Sequence, residues 1–342
     1  MLHRRYLQPV IAVALATALA GCPFQDQVEG FTGPTMGSTY SVKYVRGSGV
    51  PEPAVLQAQT EAILADLDAQ LSTWRSDSAV ERFNALPAGS CQKMPADLLE
   101  LVAAGALLSV ESEGALDLTL EPLLNLWGFG PQSRGERVPS AEEIAEARER
   151  TGLRHLRARN GELCKEVALQ LDFNSIAAGH AVDRVVDHLK QQGVRSYLVE
   201  ITGELKAEGR KPDGEHWRIA IEAPLEGQRA AQRVLELDGL SVSTSGDYRN
   251  YFERDGRRFS HTLDPRTGAP IEHNLAAVTV VEPSALRADG LSTVLMVMGP
   301  ERGFEFAQAQ SIAAFFVVRE DGGFASRSTD AFIALFGAGD GK

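Results

Sequence analysis

Apolar positions recur at two spacings along this chain. Tyr40, Val42 and Tyr44 alternate with polar residues, which predicts a half-buried strand over Ser38 to Val45. A helical stripe formed by Leu56, Ile63, Leu67 and Leu71 predicts a helix from about Ala54 to Leu71. The same patterns predict helices over 96–111, 140–150, 176–192 and 284–298, and strands over 169–173, 197–201, 217–221, 234–237, 248–263, 276–281 and 312–318.

The order of these elements favours an α+β fold with mixed or antiparallel sheets and packed helices. Strands and helices do not alternate in the regular βαβ rhythm of a doubly wound sheet. Two short sequence patterns also predict where individual helices begin. Ser140 and Glu143 form a capping box that opens the charged helix. Asn174 or Ser175 is the expected cap of the helix that begins near Ile176.

The pair Asp255-Gly256 predicts a two-residue hairpin turn between two strand-like runs. In that register Arg254 faces Arg257, so His261 comes opposite Asn250 and Asp264 opposite Asp247. Two polar segments therefore meet at the open end of the hairpin. They are either functional or simply the turns that end it.

The first 21 residues have the pattern of a signal peptide. Arg4 and Arg5 precede a short apolar run from Val10 to Ala20, and the segment ends in Leu-Ala-Gly before Cys22. That ending is the lipobox of bacterial lipoproteins, so we expect Cys22 to be acylated and to hold the protein at a membrane. The alternative is an ordinary signal followed by a chance cysteine. Residues 22–33 are the predicted tether and residues 34–338 the folded domain.

The charge of the chain limits its expected partners, and its cysteine content bears on its compartment. The 342 residues carry 34 Lys plus Arg against 46 Asp plus Glu, a net charge of -12, so we expect no nucleic-acid partner held by bulk charge. After lipidation of Cys22, Cys91 and Cys164 remain for an oxidising compartment. They form either a disulfide or two independent thiols.

Several segments, in order, make the chain resemble the ApbE family of FAD:protein FMN transferases. They are Met36-Gly-Ser, Leu71-Ser-Thr-Trp-Arg, Gly114-Ala-Leu-Asp, Leu126-Trp-Gly-Phe-Gly, residues 172–183, 244–248 and 261–268, and Ala288-Asp through Thr293. The resemblance implies a T-fold-like architecture and FAD as substrate. By resemblance, the FAD contacts are Met36, Trp74, Ala115, Leu116, Asp117, Asp172, Ala178, His261 and Arg266.

The resemblance also implies a Mg2+ site made of Ser175, Asp289, Ser292 and Thr293. Asp289 and Thr293 are four residues apart on a predicted helix and share a face, and hard oxygen ligands suit Mg2+. His261 is the candidate catalytic base, because a neutral imidazole accepts a hydroxyl proton near pH 7. A lone strand histidine is also compatible with a structural role. Trp74 covers the flavin or belongs to the core.

The chain departs from the family pattern at three points. Asn174 and Ser175 stand where many members have two glycines, and Ala178 stands where many have a lysine. Thr202-Gly203-Glu204 replaces a double glycine before an acid. The first two departures remove a phosphate-binding charge and some backbone freedom from the predicted nucleotide site.

The resemblance implies Mg2+-dependent transfer of the FMN half of FAD to a Thr or Ser hydroxyl of an acceptor protein, with release of AMP. Hydrolysis of FAD to FMN and AMP is the second hypothesis, and a non-catalytic flavin-binding lipoprotein is the third. The expected location is the periplasmic face of a bacterial membrane. Pro23 after the lipid site favours the outer membrane.

Overall fold

The structure is a computed structural model that describes residues 27–224, 231–247 and 250–338. Its helices are α1 (Pro53–Leu71), α2 (Ala79–Asn84), α3 (Ala96–Glu111), α4 (Glu121–Trp127), α5 (Ala141–Arg148), α6 (Ala177–Gln191), α7 (Ala285–Met298), α8 (Pro300–Ala309) and α9 (Asp330–Phe336). Its strands are β1 (Gln27–Thr35), β2 (Ser38–Arg46), β3 (Cys91–Lys93), β4 (Leu156–Arg159), β5 (Glu162–Lys165), β6 (Tyr197–Ile201), β7 (Glu204–Glu208), β8 (Trp217–Glu222), β9 (Ala231–Leu237), β10 (Leu240–Gly246), β11 (Tyr251–Arg254), β12 (Arg257–Ser260), β13 (Leu263–Asp264), β14 (Ala269–Pro270), β15 (Leu275–Glu282), β16 (Ala313–Glu320) and β17 (Gly323–Ser328).

An eight-stranded sheet forms the centre of the molecule, in the order β1-β2-β6-β7-β10-β15-β16-β17. Every neighbouring pair in it is antiparallel. Antiparallel neighbours need no crossover helix between them, so strands and helices follow one another without a βαβ rhythm. The predicted α+β class is confirmed.

Helices cover one face of this sheet. α6 and α7 pack against each other and lie on β6, β7, β10 and β15, around Val182 and Leu295. The other face carries the hairpin β8–β9 and helix α9, around Trp217, Phe315 and Phe332. The sheet is therefore buried on both faces over part of its width, which explains the continuous burial of β15 and of the first half of β16.

A third apolar cluster joins the hairpin β11–β12 to helices α4 and α5. Phe252 and Phe259 stack with ring centroids 5.0 Å apart, and Trp127 lies against Phe259 at 5.7 Å. The indole Nε1 of Trp127 also donates a hydrogen bond to Gly268 O at 2.9 Å. This cluster fixes the hairpin, and with it the segment that contains His261, against the helical layer.

The hairpin has the predicted register. Arg254 pairs with Arg257, and His261 N donates to Asn250 O at 3.1 Å. Both turn residues, Asp255 (φ 53°) and Gly256 (φ 73°), adopt the left-handed region that a type I′ turn requires. The ladder does not continue to Asp264, because Asp264 pairs with Ala269 instead.

Three other sequence predictions about local structure are wrong. Residues 27–33, predicted as tether, form most of β1, which pairs with β2 along its whole length. Residues 169–173 alternate in the sequence but form no strand. Neither Asn174 nor Ser175 caps α6, whose N-cap is Ile176, and the Asn174 side chain instead donates to Asp172 Oδ2 at 2.8 Å. Residues 1–26, including the predicted signal and Cys22, lie outside the described residues.

Lys165 and Asn84 form hydrogen bonds with the segment 169–173, where a neighbouring strand would otherwise pair with it. The buried ammonium of Lys165 donates to three carbonyl oxygens, Phe83 O at 2.9 Å and Asn84 O and Leu169 O at 3.0 Å each. The Asn84 side chain accepts from Leu171 N at 2.7 Å and donates to Leu171 O at 3.0 Å. A side-chain amide thus supplies the pairing that a strand would otherwise provide.

Glu121 is buried in this network. Its Oε2 accepts from Asn84 Nδ2 at 2.8 Å. Burial, and then the negative charges of Glu81 and Asp172, raise the pKa of Glu121 to about 8. Burial of Lys165 lowers its pKa to about 8. Two buried groups near Asp172, the Glu121 carboxyl and the Lys165 ammonium, therefore have pKa values close to neutral pH.

Cys91 and Cys164 form a disulfide between β3 and β5, with their Cα atoms 4.0 Å apart. The pairing that the sequence left open is thus confirmed. The bridge lies next to Lys165, whose backbone N donates to Ser90 O at 3.0 Å. Within the described ranges, none of the helices combines the length and apolar character needed to cross a membrane.

Removal of the disulfide is expected to destabilise the fold. The bridge closes a separation of 73 residues, and loop-closure entropy assigns such a loop about 4 kcal/mol. The Cys91→Ser/Cys164→Ser double variant should lose that much unfolding free energy in urea titrations. Wild type in reductant is the control and should behave like the variant. Equal stability of oxidised and reduced wild type would contradict the expectation.

Replacement of Glu121 by glutamine is expected to change how stability depends on pH. Because the pKa of Glu121 is raised in the fold, the folded state keeps a proton that the unfolded state releases, and stability is lost as pH rises through about 8. Glu121→Gln stays neutral, so its advantage over wild type should grow from pH 5 to pH 8, to on the order of 2 kcal/mol. The exposed Glu305→Gln variant is the control and should show no such trend. A constant difference across pH would contradict the assignment.

Candidate active site

A cavity of about 850 Å3 lies where the helical layer, the hairpin β11–β12 and the sheet meet. Its lining includes most of the residues that the sequence selected, although they come from segments far apart in the chain. They are Trp74, Ala115, Leu116, Asp117, Asp172, Ser175, His261, Asp289 and Thr293. The fold therefore concentrates the predicted nucleotide and metal residues around one space.

Four predicted residues are outside this lining. Met36 borders a separate cavity of about 200 Å3 beside Tyr40 and α1. The guanidinium of Arg266 is held by Asp264 through bonds of 2.8 and 2.7 Å. Ser292 is buried behind Asp289, where its hydroxyl donates to Asp289 O at 2.9 Å, and Ala178 lies in the first turn of α6. Their roles remain predictions.

Asp289 is placed by the contact between α6 and α7. Its carboxylate Oδ2 accepts a hydrogen bond from Gly179 N at 2.9 Å, across 110 residues of sequence. A Cβ on Gly179 would lie 2.3 Å from Ala285 O and 2.8 Å from the Asp289 Cβ, so only glycine permits this approach. Thr293 follows one helical turn later and lines the same cavity, as the spacing predicts.

Glu204 is a site residue that the sequence analysis did not select. It begins β7 after Thr202, whose φ of 56° turns the chain, and it lines the cavity. Burial raises the pKa of Glu204. Burial and then the charge of Glu204 raise the pKa of Asp289 well above its ordinary value. The only signal in the sequence was the Thr-Gly-Glu departure from the family pattern.

The donor set at this point fits Mg2+. Asp289 is buried and Glu204 is half-buried, and placing two carboxylates together there is costly without a cation. Burial raises both pKa values, and the charge of Glu204 raises that of Asp289 further. Thr293 adds a hydroxyl oxygen and Ser175 lines the same cavity. Carboxylate and hydroxyl oxygens are the ligands that a hard divalent cation accepts. Asp289, Glu204 and Thr293 are therefore the residues placed to hold one.

His261 is held as a neutral base facing the cavity. Its Nδ1 lies 2.9 Å from Asn250 O, and since a carbonyl oxygen only accepts, Nδ1 carries a proton. Burial lowers the pKa of His261, so the ring is neutral at pH 7 and Nε2 has a free lone pair. Phe129 packs edge-on against the ring at 6.4 Å. The geometry suits acceptance of a proton at Nε2.

Trp74 and Asp117 border the cavity from the helical side. Trp74 is 69% exposed, so the alternative that it belongs to the core is wrong. Asp117 Oδ1 accepts from the backbone N of Thr119 at 2.9 Å and from its hydroxyl at 2.7 Å, and burial raises the pKa of Asp117. A flat apolar ring at the rim is available to cover a planar ligand.

Comparison with known proteins identifies the family. The pattern of the ApbE family matches residues 36–316. A Vibrio cholerae protein named FAD:protein FMN transferase is 42% identical over 324 residues, 94% of this chain and 97% of its own length. The apo structure of Pseudomonas stutzeri flavinyl transferase ApbE is 70% identical, with a TM-score of 0.88 over 93% of this chain and 99% of its own. An ApbE protein from Thermotoga maritima, 27% identical, gives a TM-score of 0.80 over 91% of this chain and 99% of its own. The chain belongs to the ApbE family.

Proposed function

We propose that this chain transfers the FMN moiety of FAD to a Thr or Ser hydroxyl of a target protein, with Mg2+ on the diphosphate and AMP as leaving group. Transfer of FMN from FAD to a protein is the activity named for the Vibrio cholerae relative, which covers 94% of this chain. The single observation that carries the proposal is that buried Asp289, half-buried Glu204 and the neutral His261 line the same cavity.

The residues divide the chemistry between them. The acceptor oxygen forms a bond to the phosphorus of the FMN half while the bridging P–O bond breaks, and AMP leaves with the bridging oxygen. The hydroxyl proton passes to Nε2 of His261. This nitrogen has a lone pair for the proton because the ring's own proton is on Nδ1, which donates to Asn250 O. When bound, Mg2+ neutralises the diphosphate and the charge that develops on AMP. Asp289 and Thr293 on α7, together with Glu204 on β7, would hold the cation.

The two alternatives differ from transfer in what attacks FAD. In hydrolysis, water replaces the acceptor hydroxyl, and a non-catalytic flavin protein releases no AMP at all. AMP release from FAD and MgCl2, measured with and without an acceptor protein, separates all three. Transfer gives AMP only with acceptor, together with a covalent FMN adduct on it.

Asp289→Asn is expected to stop the reaction while leaving the fold intact. The amide keeps an oxygen for Gly179 N but removes the charge that a divalent cation requires, so turnover at limiting Mg2+ should fall by about 100-fold or more. The matched control is Asp238→Asn, because Asp238 Oδ1 also accepts from a glycine backbone, Gly209 N at 2.8 Å, but lies outside the cavity lining. Wild-type turnover by the Asp289 variant at limiting Mg2+ would overturn the metal assignment.

The proposed location is the periplasmic face of a membrane, with Cys22 acylated and the outer membrane favoured. The lipobox supports the anchor. The disulfide between Cys91 and Cys164 supports an oxidising compartment, because structural disulfides persist there. Acyl chains on Cys22 contribute membrane affinity of ~0.8 kcal/mol per buried methylene.

Cys22→Ala is expected to release the protein from the membrane. Without the thiol no lipid is attached, so the variant should move from the membrane fraction to the soluble periplasmic fraction. Mass spectrometry of the mature N-terminus checks acylation directly. Cys91→Ser, which lacks a different cysteine, serves as control and should remain membrane-bound. An unchanged membrane fraction for Cys22→Ala would remove the lipoprotein assignment.

A further inference from the structure

Two segments that line the cavity serve different parts of the proposed reaction. The segment 169–173 brings Asp172, a candidate FAD contact, to the cavity. The loop 129–131, which follows α4, also lines it, and its Phe129 packs against the ring of His261. The relative position of these two segments therefore sets where FAD would lie with respect to the candidate base.

Asn84 on α2 holds the first of these segments. Its Oδ1 accepts from Leu171 N at 2.7 Å and its Nδ2 donates to Leu171 O at 3.0 Å, so one side-chain amide binds both backbone polar groups of the residue before Asp172. The same Nδ2 donates to Oε2 of Glu121 at 2.8 Å. Asn84 and Glu121 are buried, and neither is among the described residues that line the cavity. The carboxyl of Glu121 thus fixes the amide that holds the backbone before Asp172.

The second segment is reached from the other oxygen of the same carboxyl. Oε1 of Glu121 accepts from Asn125 Nδ2 at 3.4 Å. Asn125 Oδ1 in turn accepts at 2.8 Å from Gln132 N, directly after the loop. A Cβ on Gly130 would lie 2.2 Å from Asn125 Oδ1, so the loop packs tightly on this amide. One carboxyl therefore links both segments of the cavity lining through two asparagines.

Glu121 makes these contacts beside two other carboxyl groups. The charges of Glu81 on α2 and of Asp172 act on it, while the ammonium of Lys165 donates to Asn84 O at 3.0 Å. Burial, and then the two negative charges, raise the pKa of Glu121 to about 8, so Glu121 is neutral at pH 7. An ionised Glu121 would add negative charge behind a site that has to accept the diphosphate of FAD.

We propose that Glu121 is a positioning residue that, through Asn84 and Asn125, holds both segments of the lining in the arrangement that binds FAD. This rests on the proposed use of FAD at this cavity. The neutral carboxyl is the form that suits the role, because it accepts from both amides without adding charge beside Asp172. Binding of FAD should therefore keep Glu121 protonated.

The pH dependence of FAD affinity tests this role. A group with a pKa of about 8 that must stay protonated in the complex lowers affinity about tenfold one pH unit above that pKa. In fluorescence titrations with MgCl2 and no acceptor, wild type should lose about tenfold more affinity for FAD between pH 7 and pH 9 than Glu121→Gln, which cannot ionise. Lys165, whose pKa is also about 8, titrates in both proteins, so the difference between them isolates Glu121.

The matched control for the pH series is Glu282→Gln. Burial raises the pKa of Glu282 as well, but this residue lies outside the cavity lining. Its variant should therefore follow wild type across the whole pH range.

Loss of either amide tests the contacts themselves. Asn84→Ala removes the bonds to the first segment and Asn125→Ala those to the second, and each should raise the Kd for FAD about tenfold because a loosened segment must be ordered when FAD binds. Asn125 is only half-buried, so its variant guards against a folding defect in Asn84→Ala. Asn274→Ala is the control, since it removes a comparable bond to Arg319 O at 2.9 Å outside the lining.

The outcomes separate positioning from a purely structural role. Equal pH dependence in wild type and Glu121→Gln would overturn the proposal, and so would unchanged FAD affinity in both asparagine variants, even if these unfold more easily. The expected affinities without acceptor-dependent AMP release would support the positioning role and overturn the transferase function alone. Absence of FAD binding by wild type would overturn both.

Discussion

The site depends on one close contact, in which Gly179 at the start of α6 donates its backbone N–H to the carboxylate of Asp289 on α7. A side chain on Gly179 would collide with Ala285 O, so the absence of a Cβ sets the distance between the two helices. α7 also lies on β10 and β15. The helix that carries Asp289 and Thr293 is thus fixed against both the helical layer and the sheet.

That placement has an energetic cost. Asp289 is buried and Glu204 is half-buried, and burial followed by the negative charge of Glu204 raises the pKa of Asp289. A fold selected for stability alone would place an apolar pair there. The arrangement is consistent with a site that becomes stable when it holds a cation, and it gives Glu204 a reason to face the cavity.

The wall of the cavity that contains Asp172 is also held by buried polar groups. The segment that ends in Asp172 forms no strand, yet Asn84 pairs with the backbone of Leu171 and Lys165 binds three carbonyl oxygens. The disulfide of Cys164 adjoins Lys165. This irregular segment is therefore held by side-chain hydrogen bonds. Its backbone does not have to follow the regular geometry of a β-ladder.

Local sequence signals determined a definite part of this protein. The capping box at Ser140, the turn at Asp255-Gly256 and the shared face of Asp289 and Thr293 each depend on residues within a few positions of one another, and all appear as expected. Ordered motifs along the chain also identified the family, and with it the flavin chemistry. These features need no knowledge of distant contacts.

Tertiary structure decided the rest, because it depends on residues far apart in the chain. The partnership of Glu204 with Asp289 and the disulfide between Cys91 and Cys164 arise only when strands and helices meet. The alternation at 169–173 predicts a strand, but the Asn84 side chain takes the place of a partner strand. Periodicity reports which residues are buried, whereas the partner that satisfies each buried polar group is set by the three-dimensional packing.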